Sequence, residues 1–120
     1  MPSLSLLIFY VDDPVASAAF YADLLGQSPV EASPTFAMFA LTSGVRLGMW
    51  SRRTVAPAAT AAGGGAELAF TAEDVDAIHA DWAARGLVIA QTPTDMEFGR
   101  TFVALDPDGH RLRVFAPAAP

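Results

Sequence analysis

The same order of apolar and polar segments occurs twice along the chain. An apolar run, Leu7–Val11, ends at a pair of acids and is followed by an alanine-rich stretch that closes at Gly26. A second apolar run starts at Leu68, also ends at a pair of acids, and is followed by an alanine-rich stretch that closes at Gly86. The two halves align with one residue of slippage. Such self-similarity predicts two copies of one supersecondary unit.

The sequence marks where both helices begin and end. Asp13-Pro14 is typical of an N-cap followed by proline at the first helical position, and Gly26 is typical of the left-handed residue that ends a helix. In the second half we expect a capping box at Thr71–Asp74 and a helix end at Gly86. The apolar stripes that would face a sheet are Val15, Ala18, Ala22 and Leu25, widened by Phe20 and Leu24, in the first helix, and Val75, Ile78 and Trp82 in the second.

Short β-like segments follow each helix. They cover residues 28–32, 35–42 and 45–50 in the first half, and 87–92, 100–105 and 111–115 in the second. Asp106-Pro107-Asp108-Gly109 predicts a hairpin turn before the last strand, because proline is preset for a turn and glycine adopts positive φ. The sequence therefore predicts an α+β fold of tandem βαβββ modules. We expect a single domain, 1–120, with a first module 1–52, a low-complexity linker 53–65 and a second module 66–120.

Composition narrows the class of protein. Hydrophobic residues make up 52% and charged residues 17% of the chain, which excludes intrinsic disorder. The lack of cysteine excludes disulfides, thiolate zinc sites and cysteine nucleophiles. Seven basic residues, all arginine, against 13 acids give a net charge of −6, which disfavours nucleic acid as a partner. No apolar run is long enough to cross a bilayer, so we expect a cytoplasmic protein without a membrane partner.

Several motifs carry a resemblance to a known family. Tyr10–Asp13 running into Ala19–Gly26, and Asp106–His110 before the last strand, resemble the glyoxalase/bleomycin-resistance/extradiol-dioxygenase superfamily, also called the vicinal oxygen chelate proteins. The segments most similar to the phenazine-antibiotic resistance proteins within it are Gly48–Ser51, Glu73–Asp76 and Phe98–Phe102. The resemblance covers nearly the whole chain. It implies curved mixed sheets around a cleft, a dimer, and, for that subfamily, sequestration of a planar drug.

The resemblance also implies one metal-ligand position on each of the first, fourth, fifth and eighth strands. In this chain those positions carry Leu6, Gly48, Glu67 and Arg113. Of these, Glu67 is a possible ligand, and the guanidinium of Arg113 opposes a metal ion. The two histidines, His79 in the second helix and His110 at a turn, do not complete a site. We therefore predict no metal and no cofactor. Glu67 and Arg113 are expected either to pair with each other or to leave Arg113 free to bind a ligand carboxylate or carbonyl.

Alternation along the strands suggests which side chains face the cleft. On the fourth strand Arg46, Gly48 and Trp50 alternate with an apolar set. On the eighth strand the cleft-facing set is Arg111, Arg113 and Phe115. A glycine lets a ligand approach the backbone, and aromatic walls with arginines fit a flat aromatic ligand that carries a polar or acidic substituent.

The sequence leaves the role of several aromatic residues open. Phe98 and Phe102 could line either the cleft or the core, and either face of the third strand, with Phe36, Met38 and Phe39, could point into the cleft. No catalytic residue is assigned. The predicted ligand-binding residues are Trp50, Phe98, Phe102, Arg46, Arg113, Gly48, Glu67, Phe36 and Met38.

Two classes of function follow from these residues. The first is metal-independent binding and sequestration of a planar aromatic antibiotic, a phenazine or a quinoline- or quinoxaline-type DNA intercalator, conferring self-resistance. The second is a glyoxalase- or dioxygenase-type lyase or oxidoreductase, which needs a metal that Leu6 and Arg113 disfavour. A third hypothesis, a metal-independent lyase or isomerase with Glu67 as base, lacks a visible acid partner. We expect a homodimer with its binding clefts at the subunit interface.

Overall fold

The computed structural model describes residues 3–60 and 63–118. The chain divides into two compact units, Met1–Ala61 and Ala62–Pro120, here called unit 1 and unit 2. Within the described residues each unit contains one helix and one four-stranded mixed sheet. The predicted α+β fold of tandem βαβββ modules is confirmed.

Unit 1 runs strand, helix and three strands. Its elements are β1 (Leu6–Val11), α1 (Pro14–Leu25), β2 (Glu31–Ala32), β3 (Phe36–Ala40) and β4 (Arg46–Ser51). The sheet order is β1-β4-β3-β2, with β1 parallel to β4 and the other pairs antiparallel. Strand β2 is shorter than the predicted 28–32, since its two residues pair only with Ala37 and Met38.

Unit 2 repeats this topology. Its elements are β5 (Glu67–Thr71), α2 (Val75–Ala84), β6 (Val88–Met96), β7 (Gly99–Leu105) and β8 (Arg111–Pro117). The sheet order is β5-β8-β7-β6, with β5 parallel to β8. Strand β6 extends beyond the predicted residue 92 because it continues pairing with β7 to Met96, across two register shifts. The predicted turn is confirmed: Asp106 Oδ1 accepts hydrogen bonds from the backbone N–H groups of Asp108 and His110 at 2.9 and 2.8 Å.

The predicted N-cap of α1 is confirmed, and that of α2 is shifted. Asp13 accepts a hydrogen bond from the Val15 N–H at 3.0 Å, and Gly26 ends α1 with φ of 64°. In α2 the N-cap is Asp74, which accepts from the Ala77 N–H at 3.0 Å. The predicted capping box at Thr71–Asp74 is therefore wrong, because Thr71 is still paired in β5.

The buried stripe of α1 is rotated from the predicted one. Val15 is 59% exposed, whereas Ser17, Ala18 and Tyr21 are buried. The sequence misleads here because the stripe includes a small polar residue and an aromatic phenol, which carry little apolar signal. In α2 the predicted stripe holds, with Val75 2% and Trp82 8% exposed.

Each sheet buries one face beneath its own helix. In unit 1 that face carries the alternate residues Phe9, Val11, Ala37, Phe39, Leu47 and Met49. In unit 2 it carries Phe102, Ala104, Leu112 and Val114. The opposite face of each sheet, here called the open face, carries the intervening side chains. Within the described residues no helix is long and apolar enough to span a membrane.

Parts of the low-complexity segment 53–65 pack against their own units. Val55 is 7% exposed and donates its backbone N–H to the Ser51 carbonyl at 3.0 Å. Gly63 lies against the last hairpin, where an added Cβ would come within 2.6 Å of the Asp108 carbonyl oxygen.

Candidate functional site

The open face of unit 1 is aromatic and aliphatic. Strand β1 contributes Ile8, 37% exposed, and Tyr10, 41% exposed. Register places Ile8 beside Gly48 and Tyr10 beside Trp50. On β3, Phe36 lies opposite Trp50 and Met38 lies opposite Gly48. The structure therefore decides which face of the third strand is open: Phe36 and Met38 lie on it, and Phe39 is fully buried on the helix side.

Phe36 and Trp50 form the centre of this face. Their rings meet edge to face at 90°, with centroids 6.3 Å apart. Together with Ile8 and Glu31 they line a recess of about 360 Å³. That volume is at the lower end of the range for small-molecule sites, and the two perpendicular rings offer both a stacking surface and an edge to a flat ligand.

Gly48 lies beneath the Phe36 ring. Its open side is covered by Phe36, since an added Cβ would lie 2.9 Å from Cζ and 3.1 Å from Cε1 of that ring. The glycine lets the Phe36 ring lie close to the backbone of β4. In this structure the Phe36 ring occupies the space in which the sequence analysis expected a ligand to approach the Gly48 backbone.

Arg46 lies on the same open face but at the far end of β4. It is in register with Leu6 and Ala40, four positions from Trp50. Four strand residues span about 13 Å, so the structure does not bring Arg46 to the recess.

The open face of unit 2 carries a polar cluster around Arg113. Its Nε and Nη2 atoms donate to the two carboxylate oxygens of Glu67 at 2.7 and 3.0 Å. Its Nη1 atom donates to Thr101 Oγ1 at 3.1 Å and Gln91 Oε1 at 3.3 Å. The side chain of Arg113 is only 19% exposed. The expected Glu67–Arg113 ion pair is confirmed.

Arg113 is the main influence on the pKa of Glu67. Its hydrogen bonds hold the pKa of the Glu67 carboxyl below the ordinary value of 4.5, against a smaller opposing effect of burial. Arg111 adds a weaker contact, with Nη1 3.7 Å from Glu67 Oε2. Glu67 is therefore ionised near neutral pH and bound by Arg113.

An aromatic pair lies at one end of this cluster. Phe98 is 45% exposed and meets Phe115 edge to face, with ring centroids 6.0 Å apart. The guanidinium carbon of Arg113 lies 5.8 Å from the centroid of the Phe98 ring, a cation–π distance. Phe98 is therefore exposed beside the Arg113 cluster, and its role in ligand binding stays a prediction.

Phe102 is a core residue, and the prediction that it binds ligand is wrong. It is fully buried and packs edge to face on Trp82, with centroids 5.4 Å apart, and on His79 at 5.3 Å. Strand alternation explains this, because Thr101 and Val103 point to the open face and Phe102, between them, points to α2.

Comparison with known proteins places this architecture in a family. A model of the glyoxalase/bleomycin resistance protein/dioxygenase superfamily matches residues 3–114. The chain belongs to this superfamily. It is 31% identical over 118 residues to the phenazine antibiotic resistance protein EhpR of Enterobacter agglomerans, covering 94% of this chain and 89% of EhpR.

Two solved structures share the fold. An NMR structure of a protein from Agrobacterium tumefaciens is 53% identical, with a TM-score of 0.90, and the match covers 99% of this chain and 100% of the other. A glyoxalase/bleomycin resistance protein/dioxygenase from Nocardioides is 26% identical, with a TM-score of 0.81, covering 98% and 84%.

The residues at the superfamily's metal positions do not fit a metal ion. Leu6 and Gly48 offer no side-chain donor, and both oxygens of Glu67 are bound by Arg113. Among residues 3–60 and 63–118, no group of three His, Asp or Glu side chains could hold a metal. His79 packs on Phe102, and His110 is buried at the last hairpin. Metal-assisted chemistry therefore has no set of ligands in this part of the chain.

Sequence reasoning missed four residues of the two open faces. Ile8 and Glu31 line the recess of unit 1, and Gln91 and Thr101 hold Arg113 in unit 2. Alternation within β1 could have found Ile8, since Phe9 and Val11 point to the core. Gln91 gave no such signal, because the register shifts in β6 break the simple alternation there.

Proposed function

We propose that the protein binds and sequesters a planar aromatic antibiotic, a phenazine or a quinoline- or quinoxaline-type intercalator, without a metal ion. The observation that carries the proposal is the recess formed by the perpendicular Phe36 and Trp50 rings. A flat ring system can stack on one ring while its edge meets the other. The similarity to a phenazine antibiotic resistance protein supports the same ligand class.

The proposal assigns no catalytic step. The enzymatic alternative would use Glu67 as a metal ligand or as a base. Arg113 occupies both oxygens of that carboxylate and lowers its pKa, which makes Glu67 a poor base near neutral pH. A purified protein that carries about one divalent metal ion per chain would contradict metal-independent binding.

The proposal includes a homodimer. Ile8, Tyr10 and Phe98 are each at least 37% exposed, and the first two lie together on the open face of unit 1. Exposed apolar surface of this kind favours association with another surface, and a second copy of the chain supplies one symmetrically. Sedimentation that gives only a 12.6 kDa species at micromolar concentration would exclude the dimer.

Substitution of Trp50 tests the proposed function. A ligand of roughly 20 heavy atoms at about −0.3 to −0.4 kcal/mol per atom would bind with a dissociation constant between tens of micromolar and about 1 μM. Trp50→Ala removes the larger ring of the recess, so we expect affinity to fall at least about tenfold, or about 1.4 kcal/mol. Titrations of both proteins with a phenazine and with a quinoxaline measure this change.

Trp82→Phe is the matched control for Trp50→Ala. Trp82 packs in the core against Phe70 and Phe102, so this variant should bind like the wild type while leaving Trp50 as the single indole reporter. Ligand binding should quench the fluorescence of Trp50 in this variant. Equal affinities of wild type and Trp50→Ala would show that Trp50 is not part of the binding site. If no planar aromatic compound binds the wild-type protein, the sequestration proposal is wrong.

A further inference from the structure

The recess of unit 1 has an acidic side chain at its edge. The described residues that line the recess are Ile8, Phe36, Trp50 and Glu31, and Glu31 is the only one of these four that carries a charge. Glu31 pairs with Met38 across β2 and β3. Because directly opposite residues of an antiparallel pair project to the same face, the Glu31 carboxylate lies on the open face with Met38. The recess therefore combines two aromatic rings with one acid.

The Glu31 carboxylate is available to a ligand. Glu31 is exposed, and among residues 3–60 and 63–118 its side chain makes no hydrogen bond or ion pair. Its backbone is positioned by the pairing with Met38, and the neighbouring Val30 N–H donates to the Met38 carbonyl at 2.8 Å. Strand pairing therefore holds the residue in place while its carboxylate remains open to an external cation or donor.

The arginines of unit 1 do not offset this charge within the recess. Arg46 shares the open face, but it lies four positions along β4 from Trp50, or about 13 Å. Arg52 and Arg53 both pair with Asp12, at 3.2 and 2.6 Å. The net charge of the whole chain, −6, has the same sign as the charge of the recess. Both the local and the long-range field therefore favour a positively charged ligand.

The two rings of the recess favour the same sign of charge. The face of an aromatic ring is electrically negative and attracts a cation placed over it, most strongly when the ring is an indole. Phe36 and Trp50 stand perpendicular to each other with centroids 6.3 Å apart, so a flat ligand can lie over the face of one of them. A positively charged ring system would be attracted by that face and by Glu31, whereas both would oppose a negatively charged one.

We propose that the recess of unit 1 selects planar aromatic cations, and that Glu31 sets this preference. This inference rests on the proposed function and narrows its ligand class to ring systems that carry a positive charge. The phosphates of DNA attract cations of the same kind, so an acidic protein with this recess would compete with DNA for them. The inference differs from the expectation drawn from the sequence, which matched arginines of the cleft to a polar or acidic substituent.

Three probes with one ring system test the inference. They are N-methylphenazinium, which is a permanent cation, neutral phenazine, and phenazine-1-carboxylate, which is an anion. The wild-type protein should bind the cation at least about fivefold more tightly than phenazine and the anion more weakly than phenazine, and both differences should decline as salt increases. Glu31→Gln should reduce the affinity for the cation about fivefold and leave that for phenazine within about twofold.

Asp23→Asn is the matched control. Asp23 is an exposed acid on α1, which packs on the opposite face of the same sheet, and its replacement makes the same change in net charge. It should leave all three affinities within about twofold. Equal wild-type affinities for the cation and phenazine, or the same loss of cation affinity in Asp23→Asn as in Glu31→Gln, would overturn the inference while the proposed function stands. Failure of all three probes to bind the wild type would instead overturn the proposed function.

Discussion

The two open faces carry different chemistry on the same framework. Both sheets have the same strand order, with their first and last strands parallel. The open face of unit 1 presents Phe36 and Trp50 around a recess, with exposed apolar neighbours. At the corresponding strands of unit 2 the open face presents Arg113 and Glu67 in a hydrogen-bonded cluster. The two units therefore share one strand order, whereas the side chains on their open faces differ: aromatic and aliphatic in unit 1, charged and polar in unit 2.

Strand alternation explains how this divergence is possible. The side chains that pack beneath each helix occupy every second position, and the open face takes the positions between them. Residues on the open face can change from aromatic to charged without altering the buried layer. Stability should therefore depend on the helix-facing residues in both units, and ligand recognition on the open faces.

The largest expected effect is the loss of stability when a helix-facing aromatic residue is removed from either unit. Phe39→Ala in unit 1 and Phe102→Ala in unit 2 each remove a fully buried ring. Each should lower the free energy of unfolding by about 3–5 kcal/mol, because burial is lost and a cavity remains. Urea denaturation followed by circular dichroism measures both changes.

Phe98→Ala is the control for the buried layer. Phe98 is 45% exposed, so its removal should lower the free energy of unfolding by only about 1 kcal/mol or less. If Phe102→Ala were no more destabilising than Phe98→Ala, Phe102 would not belong to the core. The assignment of side chains in unit 2 to a buried face and an open face would then be wrong.

The second effect tests the charged cluster of unit 2. Arg113→Met keeps an unbranched apolar side chain but removes the guanidinium group, which leaves Glu67 with the more distant Arg111, so we expect a loss of roughly 2 kcal/mol at pH 7. The pKa of Glu67 is lowered in the folded protein. Its contribution is therefore fully present above about pH 4.5 and is lost as the pH falls through the folded pKa. The difference between wild type and Arg113→Met should narrow over that acid range.

Arg85→Met is the control for the charged cluster. Arg85 pairs with Asp81 at 3.3 Å on the surface of α2, and both side chains are at least 41% exposed. Such a pair contributes about 0.5 kcal/mol or less. A stability difference between wild type and Arg113→Met that stays constant from pH 7 down to pH 3 would show that Glu67 does not depend on Arg113.

The sequence predicted the framework more completely than the open faces. Helix ends such as Asp13 and Gly26, and the hairpin turn at Asp106–Gly109, follow from local chemistry that needs no distant partner. The repeated order of segments likewise predicted the repeated topology. Strand lengths were less accurate for β2 and β6, because pairing with β3 and β7 sets where those strands end.

The candidate sites depend on partners far apart in the chain. Alternation correctly placed Trp50 and Arg113 on the open faces, but it could not show that Arg113 is held by Thr101 and Gln91. Phe102 was misassigned because it was grouped with Phe98 from the same motif. Neighbouring residues of a strand point to opposite faces, so residues of one motif do not all face the ligand. Glu31 was missed because a two-residue strand gives no periodic signal.

The smallest effect tests the close contact in unit 1. Gly48→Ala places a Cβ 2.9 Å from the far end of the Phe36 ring, which must turn aside, while the reduced freedom of the unfolded chain partly offsets the cost. We expect a loss of about 1 kcal/mol and altered Trp50 emission. In a Phe36→Ala background the same substitution should be neutral or slightly stabilising. Gly65→Ala, with nothing within 4 Å of its added Cβ, is the control. An identical effect of Gly48→Ala in both backgrounds would show that the Phe36 ring does not rest on Gly48, and the recess beside Trp50 would have a different shape.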